Sequence, residues 1–186
     1  MDFKTINPAN GQTKEICAAM TAPGLAVTMS GAASAAAEWG TRDIRERCEL
    51  VAAAARIMRE NQEDYARLMT LEMGKPIKEA RAEVEKCALG CDYYAEHGPD
   101  FLADEVIGSD ASRSLVCYQP LGTVLAIMPW NFPFWQVFRF AAPALVAGNT
   151  CLLKHASNVP QCALAIQSLF ADAGFPEYVF SSLMLP

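Results

Sequence analysis

Residues 122–157 read GTVLAIMPWNFPFWQVFRFAAPALVAGNTCLLKHAS, and the fold class follows from how this stretch divides. Residues 122–127 are a short apolar run without alternation, the pattern of a strand buried on both faces. Residues 133–147 read as a helix, with Pro133 suited to its first turn and Pro143 expected to kink it. Residues 150–153 read as a second buried strand. Moving toward the C-terminus, residues 159–173 form a second helix. Ser157 or Asn158 is its expected cap, Gly174 its stop, and Pro176 lies just beyond. Residues 179–183 are a third strand. The order β-α-β-α-β, joined by right-handed crossovers, predicts half of a doubly wound parallel sheet of α/β class. Ligands of such sheets sit at the carboxyl ends of the strands, which here are residues 128–131 and 154–157.

Toward the N-terminus the character changes. Residues 116–118 are expected to form an exposed arm strand. Residues 1–110 are expected to be mainly helical after a turn at Asn7-Pro8-Ala9-Asn10-Gly11. Over 43–60, Ile44, Cys48, Val51, Ala55 and Met58 recur every three or four residues, as an amphipathic helix requires. Residues 64–73 continue with Tyr65, Leu68 and Met69 and stop at Gly74-Lys75-Pro76. Residues 77–97 carry Ile77, Ala80, Val84, Cys87, Cys91 and Tyr94 on one stripe, with Gly98-Pro99 as the expected end. The expected organisation is a helical region over 1–110, a bridging arm over 111–120, and the first half of a nucleotide-binding sheet over 121–186.

Composition narrows the function classes. The chain has 186 residues, 52% hydrophobic and 19% charged, enough to bury a core. A net charge of −6 disfavours nucleic acid or an anionic membrane as partner. The seven cysteines are scattered with no CxxC pair, which suits buried free thiols in a reducing compartment. No basic segment followed by an apolar run opens the sequence, and the Ala-rich stretch 17–37 is broken by Pro23, Gly24 and Gly31. A cytoplasmic protein is expected. Cys87 and Cys91 lie four apart on one helix and could face a metal. No further ligand stands at a suitable spacing, so core packing is the expectation and no metal is assigned. His155 has no visible acid or serine partner for a triad.

The run from Pro120 to Pro133, with its Met128-Pro129-Trp130-Asn131 turn, resembles the first cofactor strand and turn of the aldehyde dehydrogenase superfamily. Ala147-Gly148-Asn149-Thr150 with Leu153-Lys154 is similar to the second strand. The Asn7–Gly11 turn and Leu71-Glu72-Met73-Gly74-Lys75-Pro76 are also family-like, so the resemblance spans essentially the whole chain. It implies a Rossmann-like cofactor sheet, NAD or NADP as cofactor, an aldehyde substrate, and a homo-oligomer in the full-length form. Within the family the chain looks most like the NAD(P)-dependent succinate-semialdehyde type. In that chemistry a thiolate attacks the aldehyde, hydride passes to NAD(P)+, and water releases the acid.

The candidate site residues carry both readings. The Asn131 side-chain NH2 can donate to a carbonyl oxygen that is becoming an oxyanion, the role the resemblance implies; by itself, an Asn before a helix also reads as an N-cap. Trp130 and the backbone of Ile127, Met128 and Pro129 would line a cofactor groove, although Trp130 could equally be a core residue. Lys154, followed by His155 and Ala156, is placed by the resemblance at the cofactor's ribose or phosphate. At Ser157 many NAD-preferring relatives carry Glu, whose carboxylate would repel a 2′-phosphate, so Ser implies tolerance of NADP. Arg139 is the one formal charge between Ser114 and Leu153 and lies among aromatics that include Phe132. A guanidinium buried there would need a partner, and a substrate carboxylate would supply one. It stands eight residues after Asn131, about 12 Å along a helix. The alternative is an Arg satisfied by carbonyls or by a distant carboxylate.

The resemblance also implies a nucleophilic cysteine in a Gly-Gln-x-Cys segment, a general-base glutamate and a Gly-rich loop. None is found in the sequence. The chain is therefore expected to be an N-terminal piece lacking the catalytic domain and inactive by itself. The alternative expectation is a non-catalytic product that binds cofactor weakly or joins full-length subunits. The related acyl-phosphate reductases would share the same fold.

Overall fold

In the computed structural model the described residues are 2–185, with the side chains of residues 15 and 16 left aside. Met1 and Pro186, the outer limits of the expected helical region and half-sheet, lie outside them. The helices are α1 (Ala22–Thr41), α2 (Ile44–Glu60), α3 (Gln62–Met73), α4 (Ile77–Phe101), α5 (Trp135–Val146) and α6 (Pro160–Asp172). The strands are β1 (Phe3–Ile6), β2 (Thr13–Cys17), β3 (Glu105–Val106), β4 (Leu115–Val116), β5 (Thr123–Met128), β6 (Thr150–His155) and β7 (Phe180–Ser182).

The expected half-sheet forms: β5, β6 and β7 are parallel in that order, joined by α5 and α6. Along β5 the side chains alternate. Val124 and Ala126 pair with Cys151 and Leu153 on the face covered by α5 and α6. On the other face Thr123, Leu125 and Ile127 pair with Thr150, Leu152 and Lys154. There α1 covers part of the sheet: Thr150 Oγ1 donates to the Ala32 carbonyl at 3.1 Å, and Leu152 packs with Ala32 and Leu183. Leu125 and Ile127 are left exposed. Only one face of β5 is therefore buried, where both were expected to be.

Behind α5 and α6 lies the layer of α2, α3 and α4. The apolar stripes expected on them are the buried ones, including Val51, Ala55 and Met58 on α2 and Ala80, Val84, Cys87 and Cys91 on α4. A chain of rings from Phe134 through Phe138 and Phe170 to Phe180 runs through this core. Trp39 ties α1 to α5, its Nε1–H donating to the Leu145 carbonyl at 3.0 Å.

Four local expectations change. The N-terminus carries a hairpin, β1 against β2, around the Asn7–Gly11 turn. α4 runs through Gly98-Pro99 to Phe101. Proline costs a helix the bond its N–H would make, but this one lies in the last turn. The arm is a pair, β3 against β4, and spans the boundary expected at residue 110. Finally, α6 starts behind Val159 without a side-chain cap from Ser157 or Asn158. Among the described residues no helix is long and apolar enough to cross a membrane.

Candidate functional site

The parallel register sets Ile127 beside Lys154 and Met128 beside His155, so the two strand tips lie next to each other. Ile127 is 72% exposed, Lys154 is half-buried, and Ser157 is exposed. These three present an open surface with one cation and one hydroxyl. No Asp or Glu occurs in residues 127–131 or 154–158. Trp130 is half exposed and lines a cleft of about 240 Å³ with Lys4, Ile6, Pro8, Glu72, Met73 and Asn158. That cleft contains neither Lys154 nor Ser157.

His155 holds the tips together rather than facing outward. Its buried ring donates from Nε2 to the Pro133 carbonyl at 2.8 Å and accepts the Ala156 N–H on Nδ1 at 2.9 Å. Those two bonds require the neutral ring with its proton on Nε2. Burial pushes the pKa below its ordinary value, which favours the same form. The side chain is thus committed to structure, and only its backbone is left for a ligand.

Asn131 lies just beyond β5, exposed, and its side chain enters none of the described hydrogen bonds. It does not cap α5. The first amides of that helix, Phe134 N–H and Trp135 N–H, both donate to Glu83 Oε1 at 2.9 Å. Glu83 comes from α4, is buried, and pairs with the buried Lys75. The Lys75 ammonium also donates to the Asn131 carbonyl at 3.3 Å and sits 3.7 Å from the centre of the Phe132 ring.

A second carboxylate serves α6 in the same manner. Glu72, buried at the end of α3, accepts from Gln161 N–H and Cys162 N–H, each at 2.8 Å, and from Thr5 Oγ1 at 2.8 Å. Both helices of the half-sheet therefore start on a carboxylate delivered by the helical layer. A buried carboxylate is tolerable only with such donors around it.

Sequence reasoning missed these residues, reading only the apolar stripes of α3 and α4. A usable signal was present. Glu72 lies three after Met69, and Glu83 three after Ala80, so each falls on the buried stripe of its helix. A carboxylate there must be met by donors from another element.

Arg139 departs from expectation as well. It is exposed on α5 rather than buried among the aromatics, so the reasoning from a buried charge does not apply to it. None of the described ion pairs includes it. Phe132 is exposed too, and its ring is covered on one side by Lys75.

Six of the seven thiols are unsuited to attack. Burial raises the pKa of Cys48, Cys87, Cys91, Cys151 and Cys162, whereas a nucleophilic thiol is activated by a lowered one. In the exposed Cys117 a hydrogen bond to Asp104 raises it. Among the described residues no group of three or more His, Cys, Asp or Glu side chains could hold a metal.

Comparison with known proteins bears on this surface. The sequence pattern of the Aldehyde dehydrogenase family matches residues 1–185. A probable succinate-semialdehyde dehydrogenase [NADP(+)] of Synechocystis sp. is 52% identical over 185 residues, covering 100% of this chain and 41% of that protein. A succinate-semialdehyde dehydrogenase [NADP(+)] of Mycobacterium leprae is 45% identical over 188 residues, with the same coverage. The crystal structure of succinic semialdehyde dehydrogenase from Streptococcus pyogenes, in complex with NADP+, superposes with a TM-score of 0.96 at 34% identity. It covers 99% of this chain and 41% of that one. The chain thus spans about two-fifths of the length of the relatives it matches.

Proposed function

This chain belongs to the aldehyde dehydrogenase family, and from that premise we propose that it forms the adenosine-side surface and the oxyanion-binding amide of an enzyme that oxidises succinate semialdehyde with NADP+ or NAD+. The observation that carries the reading is the in-register pairing of β5 with β6. It sets Ile127 and Met128 beside Lys154 and His155, while the Asn131 amide stays uncommitted.

The donor set fits the cofactor. Lys154 meets a ribose hydroxyl or 2′-phosphate, and Ser157 adds a hydroxyl where a carboxylate would repel that phosphate. The backbone of Ile127, Met128, Pro129 and Ala156 completes the surface, with the ring of Trp130 at its margin. When bound, the nicotinamide cofactor accepts the hydride. Asn131 donates from its side-chain NH2 to the aldehyde oxygen as negative charge builds there. Arg139, exposed and outside the described ion pairs, grips the carboxylate at the far end of the substrate. The thiolate that attacks the carbonyl carbon is none of Cys48, Cys87, Cys91, Cys117, Cys151 and Cys162, in keeping with their raised pKa values. The apolar β3–β4 arm, with Val106 and Val116 exposed, contacts other subunits in a homo-oligomer.

Titration of the chain with NADP+ and NAD+, followed through its 1H–15N spectrum, tests the cofactor surface. The expected result is shifts concentrated at Ile127, the Trp130 indole, Lys154 and Ser157. Ser157→Glu should weaken NADP+ by about tenfold or more, the scale of one like-charge contact, and leave NAD+ nearly unchanged. No shifts at millimolar nucleotide would end the proposal.

A further inference from the structure

Lys75 and Glu83 are buried, charged and remote in sequence from residue 131, yet both reach the turn that carries the Asn131 amide. We propose that the Lys75–Glu83 pair positions Asn131 for the oxyanion, an inference that rests on the proposed role of that amide. Neither residue touches the reacting atoms; both are positioning residues.

The two carboxylate oxygens of Glu83 divide the task. Oε1 takes the amides of Phe134 and Trp135 and so fixes where α5 begins. Oε2 takes the Lys75 ammonium. The ammonium in turn holds the Asn131 carbonyl at 3.3 Å and lies against the face of Phe132. The backbone that follows the Asn131 side chain is thereby tied down at its own carbonyl and at the Phe134 and Trp135 amides, while the side chain itself enters none of the described hydrogen bonds.

Lys75 is restrained from its own side as well. It stands between Gly74, at φ 77°, and Pro76, and its carbonyl accepts from Thr70 Oγ1 at 2.7 Å. A side chain at position 74 would meet Pro8 at 2.9 Å, and the positive φ strains any residue with a Cβ. The Gly74-Lys75-Pro76 turn therefore delivers a charge to a fixed point, beyond ending α3.

A helix cap alone would not require Lys75. A buried carboxylate with two backbone donors could be completed by a neutral partner, and a buried ion pair gains little net stability over its desolvation cost. What a neutral partner would lack is the ammonium's ability to serve the carboxylate, the Asn131 carbonyl and the Phe132 ring together.

The test uses the 186-residue chain, labelled with 13C and 15N. Lys75→Met should keep the dispersed methyl spectrum of the folded core. It should shift the Asn131 carbonyl 13C to the value of an unbonded carbonyl and raise the mobility of the Asn131 side-chain NH2. Lys75→Arg should restore most of both. Glu83→Gln provides a second measurement should Lys75→Met not fold, because the amide keeps an acceptor for α5 and releases the ammonium. Asn131 signals unchanged in these variants, with shifts confined to the Phe134 and Trp135 amides, would overturn positioning and leave only a cap. In an active enzyme carrying this chain, Lys75→Met should lower kcat about tenfold or more, with KM for NADP+ unchanged. Loosened Asn131 signals with an unchanged kcat would count against the oxyanion role of Asn131, not against the positioning of its turn.

Discussion

Arg139 projects from the exposed side of α5, and its worth depends on what it meets. A planar guanidinium held by no other carboxylate is suited to a two-point grip on one from a substrate. In an active enzyme carrying this chain, Arg139→Leu should raise KM for succinate semialdehyde about tenfold or more while moving KM for an uncharged aldehyde less than about twofold. Steady-state kinetics on both substrates would decide it, and equal effects would remove Arg139 from the site. His155 makes a different prediction. Its folded pKa lies below the ordinary 6.5, so between those two values the unfolded chain holds more protons. Stability is then fully present above about pH 6.5 and is lost as the pH falls toward the folded value. Urea midpoints should decline between about pH 7.5 and 5.5, and His155→Gln should flatten that slope.

At the scale of elements, close approach of α4 to α5 fixes where the cofactor helix lies. A Cβ built on Gly98 would stand 2.4 Å from Val146 Cγ1, and a valine methyl has little freedom to move aside. Gly98→Ala should therefore destabilise the fold by about 1–3 kcal/mol from overpacking, outweighing a helix-propensity gain of about 1 kcal/mol. Urea denaturation would measure the balance, and a stabilised variant would show that the helices can part. The helices α2 to α4 were legible because each follows one hydrophobic period for several turns, and the parallel half-sheet because short apolar runs alternate with helical segments. The β1–β2 hairpin was not, since Lys4-Thr5-Ile6 alternates too briefly to announce a strand. Arg139 was misread because an aromatic neighbourhood in sequence was taken for one in space; on a helix, Phe138 faces the core and Arg139 does not. Glu72 and Glu83 could be picked out as carboxylates on buried stripes, but which amides they serve was illegible for a related reason. Glu83 and Glu72 lie 51 and 89 residues away from those amides, and local capping rules look only next door.

Across the whole molecule, the helical layer and the half-sheet share one core, so a nucleotide bound at the strand tips should stabilise all of it. NADP+ at a hundred times its Kd would add about 2.7 kcal/mol. In a domain of this size that corresponds to a Tm increase of about 5–10 °C. Thermal denaturation at increasing NADP+ would show the rise, and a flat Tm would mean that the tips bind no nucleotide. The carboxylates behind α5 and α6 have one more consequence. In many doubly wound folds a dinucleotide rests its diphosphate on the start of the helix that follows the first strand, where free amides and the helix dipole attract it. In this chain the first amides of α5 and α6 already bond to the buried carboxylates of Glu83 and Glu72, the former neutralised by Lys75, so neither helix start offers those amides to an arriving diphosphate. On the proposed reading, this part of the crevice would hold a dinucleotide by its adenosine, as a tether fastened at one end.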